Sequence, residues 1–343
     1  MEQLLGIVLH AIGGFSSASF YVPYNKVKGW AWETYWITLG FVAWMIMPII
    51  GGWLTTPDIF AILKNSPGSS LNMTYIFGAL WGFGGLLSGL GLRYLGLSLG
   101  QSISLGVCAI VGTLVPAVLD DKMDMLVSSR SGNIILLGLL VCLVGIFCCG
   151  YAGALKESLL TESEKKESVK EFSAMKGTIA AVFGGIMSAC MALAIHYGGP
   201  ISVEALRAGT SDVFVNTPIF ILAMAGGFTT NFIYVMILSA RNKSFSDFTQ
   251  RSPFLTRNYL LALLSGLMWY GQFFFYGMGS TKMGDYDFAS WSLHMSSIII
   301  FSNLWGLWLK EWTHVNNRTR IWLWAGIILL IGSVLLIGIG NSM

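Results

Sequence analysis

The sequence predicts an all-α polytopic membrane protein with ten transmembrane helices in two inverted five-helix repeats. Three observations predict it. Of 343 residues only 11% are charged and 55% are hydrophobic, against about 25% charged in an ordinary soluble domain. The apolar residues fall into ten stretches, each near the roughly 20 residues that cross a bilayer. The two halves of the chain also carry matching residues in matching order.

Apolar runs bounded by charges, Pro or Asn place the spans at 3–24, 34–54, 73–93, 98–119, 133–153, 177–197, 213–239, 258–279, 287–309 and 320–340. Span 1 lacks the basic leader of a cleaved signal peptide, since no Lys or Arg occurs in the first 25 residues. Span 7 is long enough to tilt or break at Gly226-Gly227. Spans 5 and 10 carry almost no polar groups and read as peripheral or dimer-facing helices.

The connections orient the chain. Odd-numbered connections hold 15 of the 20 Lys and Arg residues, among them Lys26, Lys28, Lys156 and Arg241, and even-numbered ones hold 5. The positive-inside rule then puts odd connections in the cytoplasm and both termini on the periplasmic side. The one long polar stretch, 156–176, has five Lys and five Glu. It reads as a charged cytoplasmic linker between a first repeat, 1–155, and a second, 177–343.

The repeat itself is carried by particular matches. Gly13-Gly14-x-x-Ser17-Ala18 recurs as Gly184-Gly185-x-x-Ser188-Ala189, an offset of 171. At an offset of 188, Trp81 pairs with Trp269, Gly138 with Gly326 and Gly150 with Gly338. The difference of 17 residues is an insertion around 197–212. An odd number of spans per repeat inverts the second copy, the architecture of secondary transporters with a midplane site.

Other classes are excluded. A net charge of +3 without a basic cluster gives no footing for nucleic acid. The five Cys lie inside apolar runs and read as packing residues. There is no Walker A loop, no His-Glu-x-x-His and no Gly-x-Ser-x-Gly, so neither an enzyme nor a cofactor or metal site is expected. Uphill transport would draw on an ion gradient or exchange.

Chemistry is expected where polar groups enter the bilayer, because each costs several kcal/mol there unless it meets a partner or water. Span 9 places Asp287, Trp291 and His294 on one helical face. Span 8 does the same with Trp269, Gln272 and Tyr276, and span 1 with His10, Gly14, Ser17 and Tyr21. Counted from the span ends, His10, Gln272 and His294 share a depth of about 10 Å and would line one cavity. Aromatic rings beside hydrogen-bonding groups suit a sugar. Proton coupling needs a group that changes charge near neutral pH, which His294 does as a residue type and which Asp287 or Glu33 would do only if desolvated. Plainer readings stand beside these: histidines bridging helices, Tyr21 in an interfacial belt, Asp287 in a solvated connection, Glu33 at a helix N-terminus.

Several segments resemble the bacterial L-rhamnose–proton symporter family of the drug/metabolite transporter superfamily. They are Phe20-Tyr21-x-Pro23-x-x-Lys26-Val27-Lys28-x-Trp30-x-Trp32-Glu33-Thr34, Arg93-Tyr94-Leu95-Gly96, the Gly266–Tyr276 block, Tyr286-Asp287-x-x-Ser290-Trp291-x-Leu293-His294-Met295-Ser296 and Leu309-Lys310-Glu311-Trp312. The resemblance runs from span 1 to span 10, with departures at Asn25, Gly29 and Asp285. It implies alternating-access symport of L-rhamnose with a proton in the bacterial inner membrane. On that reading His10, Tyr21, Trp269, Gln272, Tyr276, Trp291 and His294 bind substrate, and His294, Asp287 or Glu33 couples the proton. A related 6-deoxysugar or other small metabolite, or an exchanger or exporter, remains the alternative. Oligomeric state is open.

Overall fold

The computed structural model of the protein describes residues 2–95, 97–159, 173–250 and 252–343. Residues 160–172 of the expected linker lie outside the described residues, as do Gly96, Arg251 and the side chain of Arg93. The described secondary structure is helical throughout. The long helices are α1 (Glu2–Ser19), α2 (Trp32–Thr55), α3 (Gly68–Leu95), α4 (Leu97–Leu119), α5 (Arg130–Ser158), α6 (Ala174–Tyr197), α7 (Thr217–Asn242), α8 (Leu255–Ser280), α9 (Ser290–Trp308) and α10 (Asn317–Asn341).

Nine of these are long and apolar enough to cross a membrane among the described residues, and α9 is the one that is not. The reason is its composition. Ser290, Ser292, His294, Ser296 and Ser297 are all buried on it, and it is packed by α1, α4, α5, α8 and α10. A helix surrounded by protein can be polar all round without exposing those groups to lipid.

The outer helices show the opposite logic. On α1 the buried residues Gly6, Leu9, His10, Gly13, Gly14 and Ser17 follow a helical repeat, while Leu4, Leu5, Val8, Ile12 and Phe15 are exposed on the other face. Polar and small residues turn inward and large apolar ones outward, as a lipid solvent requires.

Breaks in the helices have local causes. Pro23 lacks an N–H and its ring clashes with the carbonyl four residues back, so α1 ends at Ser19 and a short helix, Tyr21–Tyr24, follows. Pro48 acts similarly in α2, which passes through a π-helical turn at Phe41–Ile46. That turn points Trp44 into the core. The expected break at Gly226-Gly227 does not occur, for α7 runs unbroken. A Cβ on Gly226 would collide with the Tyr75 carbonyl, and one on Gly227 with the Trp81 ring. These glycines let α7 press against α3, a packing role that a sequence pattern does not distinguish from a hinge.

Helix pairing is specific. α6 packs on α3 and α4, α1 on α8 and α9, α7 on α3, and α2 on α8. α5 and α10 lie antiparallel, with Gly138 against Ile337, Gly145 against Leu330 and Gly326 against Cys149. All five cysteines are free and buried.

Candidate functional site

The centre of the molecule is aromatic, and α8 supplies its spine. Trp269, Gln272, Phe273 and Tyr276 are buried on one face of that helix. Trp269 meets Trp44 of α2 at 5.3 Å and Trp81 of α3 at 5.6 Å between ring centroids. Phe273 continues the wall beside Trp269 and reaches His294 at 6.3 Å.

Above this wall the two histidines come together. The His10 and His294 rings are 6.3 Å apart, and Tyr276 lies 5.3 Å from each. Two glycines permit the approach. A Cβ on Gly13 would stand 2.9 Å from the Gln272 carbonyl and 3.2 Å from the His294 ring, and one on Gly279 would stand 3.0 Å from His10. Both histidines are fully buried, and none of their four ring nitrogens has a hydrogen-bond partner. A buried polar group left unpaired costs about 1–3 kcal/mol. A solute bringing hydroxyl groups to these nitrogens would recover that loss.

Trp291 is fixed more firmly. Its indole N–H donates to the Cys108 carbonyl at 3.1 Å, its ring is 5.7 Å from Tyr276, and Gly112 leaves space for it on α4. The structure thus joins His10, Trp269, Gln272, Tyr276, Trp291 and His294 in one cluster, drawn from α1, α8 and α9.

Three expected site residues lie outside this cluster, one of them, Asp287, on the wall of the cavity beside it. Tyr21 is on the short helix after Ser19, more than half exposed, and packs on Phe20 and Tyr24. The stripe His10, Gly14, Ser17 stops short of it because the helix ends first. Asp287 is not on the face of Trp291 and His294, since α9 begins at Ser290 and Asp287 belongs to a 3-10 turn, Gly284–Ala289. Its carboxylate pairs with Lys122 at 2.9 Å. Glu33, in the first turn of α2, accepts from the Asn242 amide at 2.9 Å and the Ser244 hydroxyl at 2.7 Å. It ties α2 to the end of α7.

A cavity of about 570 Å³ leads toward the cluster and ends on Tyr276. His10, Gln272 and His294, expected to line one cavity, are not among its lining residues and are buried beside Tyr276. They form a sealed layer beneath it. Its polar walls come from Asp287, paired with Lys122, and from residues the sequence reading did not single out: Asp120, His196, Ser202, Asn216 and Ser280. Asn216 is the organiser, donating to the Gly277 carbonyl at 3.1 Å and to Ser280 at 3.0 Å, and accepting from Ser202 at 2.8 Å. Ser202 sits on a helix, Gly199–Arg207, formed by the inserted stretch around 197–212. The insertion was visible as a change of repeat offset, although its role as a cavity wall was not.

A multi-helix membrane protein with a solute-sized polar cavity, closed at depth by aromatic and imidazole side chains, has the form of a solute carrier. The sequence model of the L-rhamnose-proton symport protein (RhaT) family matches residues 2–343. The chain belongs to that family. The L-rhamnose-proton symporters of Escherichia coli (strain 55989 / EAEC), Shigella sonnei (strain Ss046) and Shigella flexneri are each 38% identical to it over 344 residues, which is 98% of this chain and 98% of theirs.

Proposed function

We propose that this protein carries L-rhamnose with a proton across the bacterial inner membrane by alternating access. It is a transporter and not an enzyme. The observation that carries this reading is the cavity ending on Tyr276, with the unpaired nitrogens of His10 and His294 directly behind that ring. A hexose-sized solute enters the cavity, stacks its C–H faces on Tyr276, Trp291 and Trp269 as that ring layer opens, and offers hydroxyls to His10, His294 and Gln272. The proton is taken by His294, whose imidazole is paired with nothing else. Glu33 and Asp287, each committed to bonds that hold helix ends, act as tethers.

The ten helices form two inverted repeats, and several features support this. Exchanging the halves, α1–α5 for α6–α10, turns the pairs α3–α6, α4–α6 and α3–α7 into α8–α1, α9–α1 and α8–α2, all of which occur. The repeat partners Trp81 and Trp269 touch, as equivalent residues beside a two-fold axis do. Helix ends repeat as well. After α4 the Lys122 N–H bonds the Ala117 carbonyl, and after α9 the Glu311 N–H bonds the Gly306 carbonyl, both at 2.9 Å. Asp121 and Lys310 take the same left-handed conformation there. With an even number of spans both termini lie on one side, and the charge distribution makes it the periplasm. The cavity, built from the even-numbered connections, then opens outward.

Counterflow tests the reading. Proteoliposomes loaded with L-rhamnose should take up labelled L-rhamnose, and His294→Gln should abolish its accumulation under an inward proton gradient. No counterflow in the wild type rules out L-rhamnose carriage. Uphill accumulation by the His294→Gln protein with an unchanged pH profile removes His294 as the carrier.

A further inference from the structure

The cavity holds one contact that the transport reading leaves unused. At its mouth the imidazole Nδ1 of His196 is 3.4 Å from the Asp120 carboxylate. His196 ends α6 and Asp120 follows α4, so the contact spans the two halves of the chain. Their side chains are 19% and 35% exposed and both line the cavity. They are open to the solution from which the solute comes, whereas His10 and His294 are sealed.

Other charged groups near them have been claimed. Lys122, two residues beyond Asp120, is bound to Asp287. On the Gly199–Arg207 helix, Arg207 is 3.5 Å from Glu204. Asp287 itself faces the cavity, as do the remaining titratable groups Asp212 and Tyr276, and Tyr197 edges the His196 ring at 4.9 Å. From α3 the neighbour is Phe77, which is uncharged and stacks on Tyr197.

Resting on the carrier reading above, we infer that Asp120 and His196 form a proton-binding site at the cavity mouth, where a bound proton ties the two halves in the cavity-open state. Histidine is the side chain that changes charge between pH 5 and 8. With the imidazole neutral, the contact is a weak dipolar one. With it protonated, the contact is an ion pair between α4 and α6. An interaction made in one conformation and lost in the other shifts their populations. Apparent affinity scales with the fraction of carrier that is binding-competent. Acid outside therefore raises affinity for external sugar, separately from the proton that crosses with it.

The test is the KM for L-rhamnose counterflow in wild-type proteoliposomes between external pH 5.5 and 8. The wild-type KM should rise about threefold over that range, the size of effect expected of a partly exposed ion pair. His196→Gln and Asp120→Asn remove the pair from opposite sides, and each should flatten the dependence. Asp120→Glu keeps the carboxylate and should restore it. A flat wild-type profile, or a slope retained by both neutral variants, overturns the inference and leaves the transport reading intact. Absence of wild-type counterflow at every pH strikes the transport reading itself.

Discussion

Glu33 shows how a single residue divides two readings that its sequence position leaves equal. A carboxylate at the cytoplasmic start of a span is either a coupling group or a helix-end partner. Here it is 3% exposed, and both of its bonds end on one oxygen, from Asn242 and Ser244. Next to it Asp247 accepts from the Ala31 N–H at 2.7 Å and from the Thr34 hydroxyl at 3.1 Å, so two carboxylates clamp α2 to the segment after α7. Glu33→Gln keeps an acceptor oxygen for both donors. It should melt close to the wild type in detergent and still accumulate sugar under a proton gradient. Glu33→Ala strands two donors and should lose about 1–3 kcal/mol of stability. A Glu33→Gln protein that melts normally but no longer accumulates sugar would return the carboxylate to the coupling role.

Elements were legible to different degrees, and the reason is physical. Lipid imposes a uniform outer face, so the apolar stretches marked every long helix to within a few residues. Interior contacts have no such uniform signature. Trp291 and His294 were readable because seven residues of regular helix place Trp269 and Tyr276 on one face of α8 and three place these two on one face of α9. Asp287 and Tyr21 were misplaced because a 3-10 turn and a proline interrupt that regularity. Asp120, His196 and Asn216 sit at helix ends, where a polar residue looks like any solvated terminus. Their convergence comes from the crossing of helices distant in the sequence. Cysteine labelling checks this arrangement of elements. The five native thiols are buried, so a membrane-impermeant maleimide should react weakly with the wild type. Ser202→Cys, on the cavity wall, should label from outside and be protected by L-rhamnose. Ser292→Cys, enclosed within the α9 packing, should not label. Equal labelling of the two would contradict the placement of α9 in the core.

At the scale of the whole molecule, the inverted repeat proposed above sets a symmetric scaffold around an asymmetric candidate site. Exchange of halves keeps the main helix pairs α3–α6, α4–α6 and α3–α7, yet His10 and His294 correspond to Ala181 and Gly106 at the repeat offsets. On the inverted-repeat reading proposed above, the halves would have two related ways of packing, as alternating access requires. Symport means that sugar and proton cross together. The direct measurement is the external pH of a weakly buffered suspension of proteoliposomes when L-rhamnose is added, with a potassium–valinomycin clamp to remove charge build-up. The medium should turn alkaline as sugar enters, and His294→Gln should abolish the change. Uptake of labelled L-rhamnose with no movement of external pH would mean that the sugar crosses without a proton.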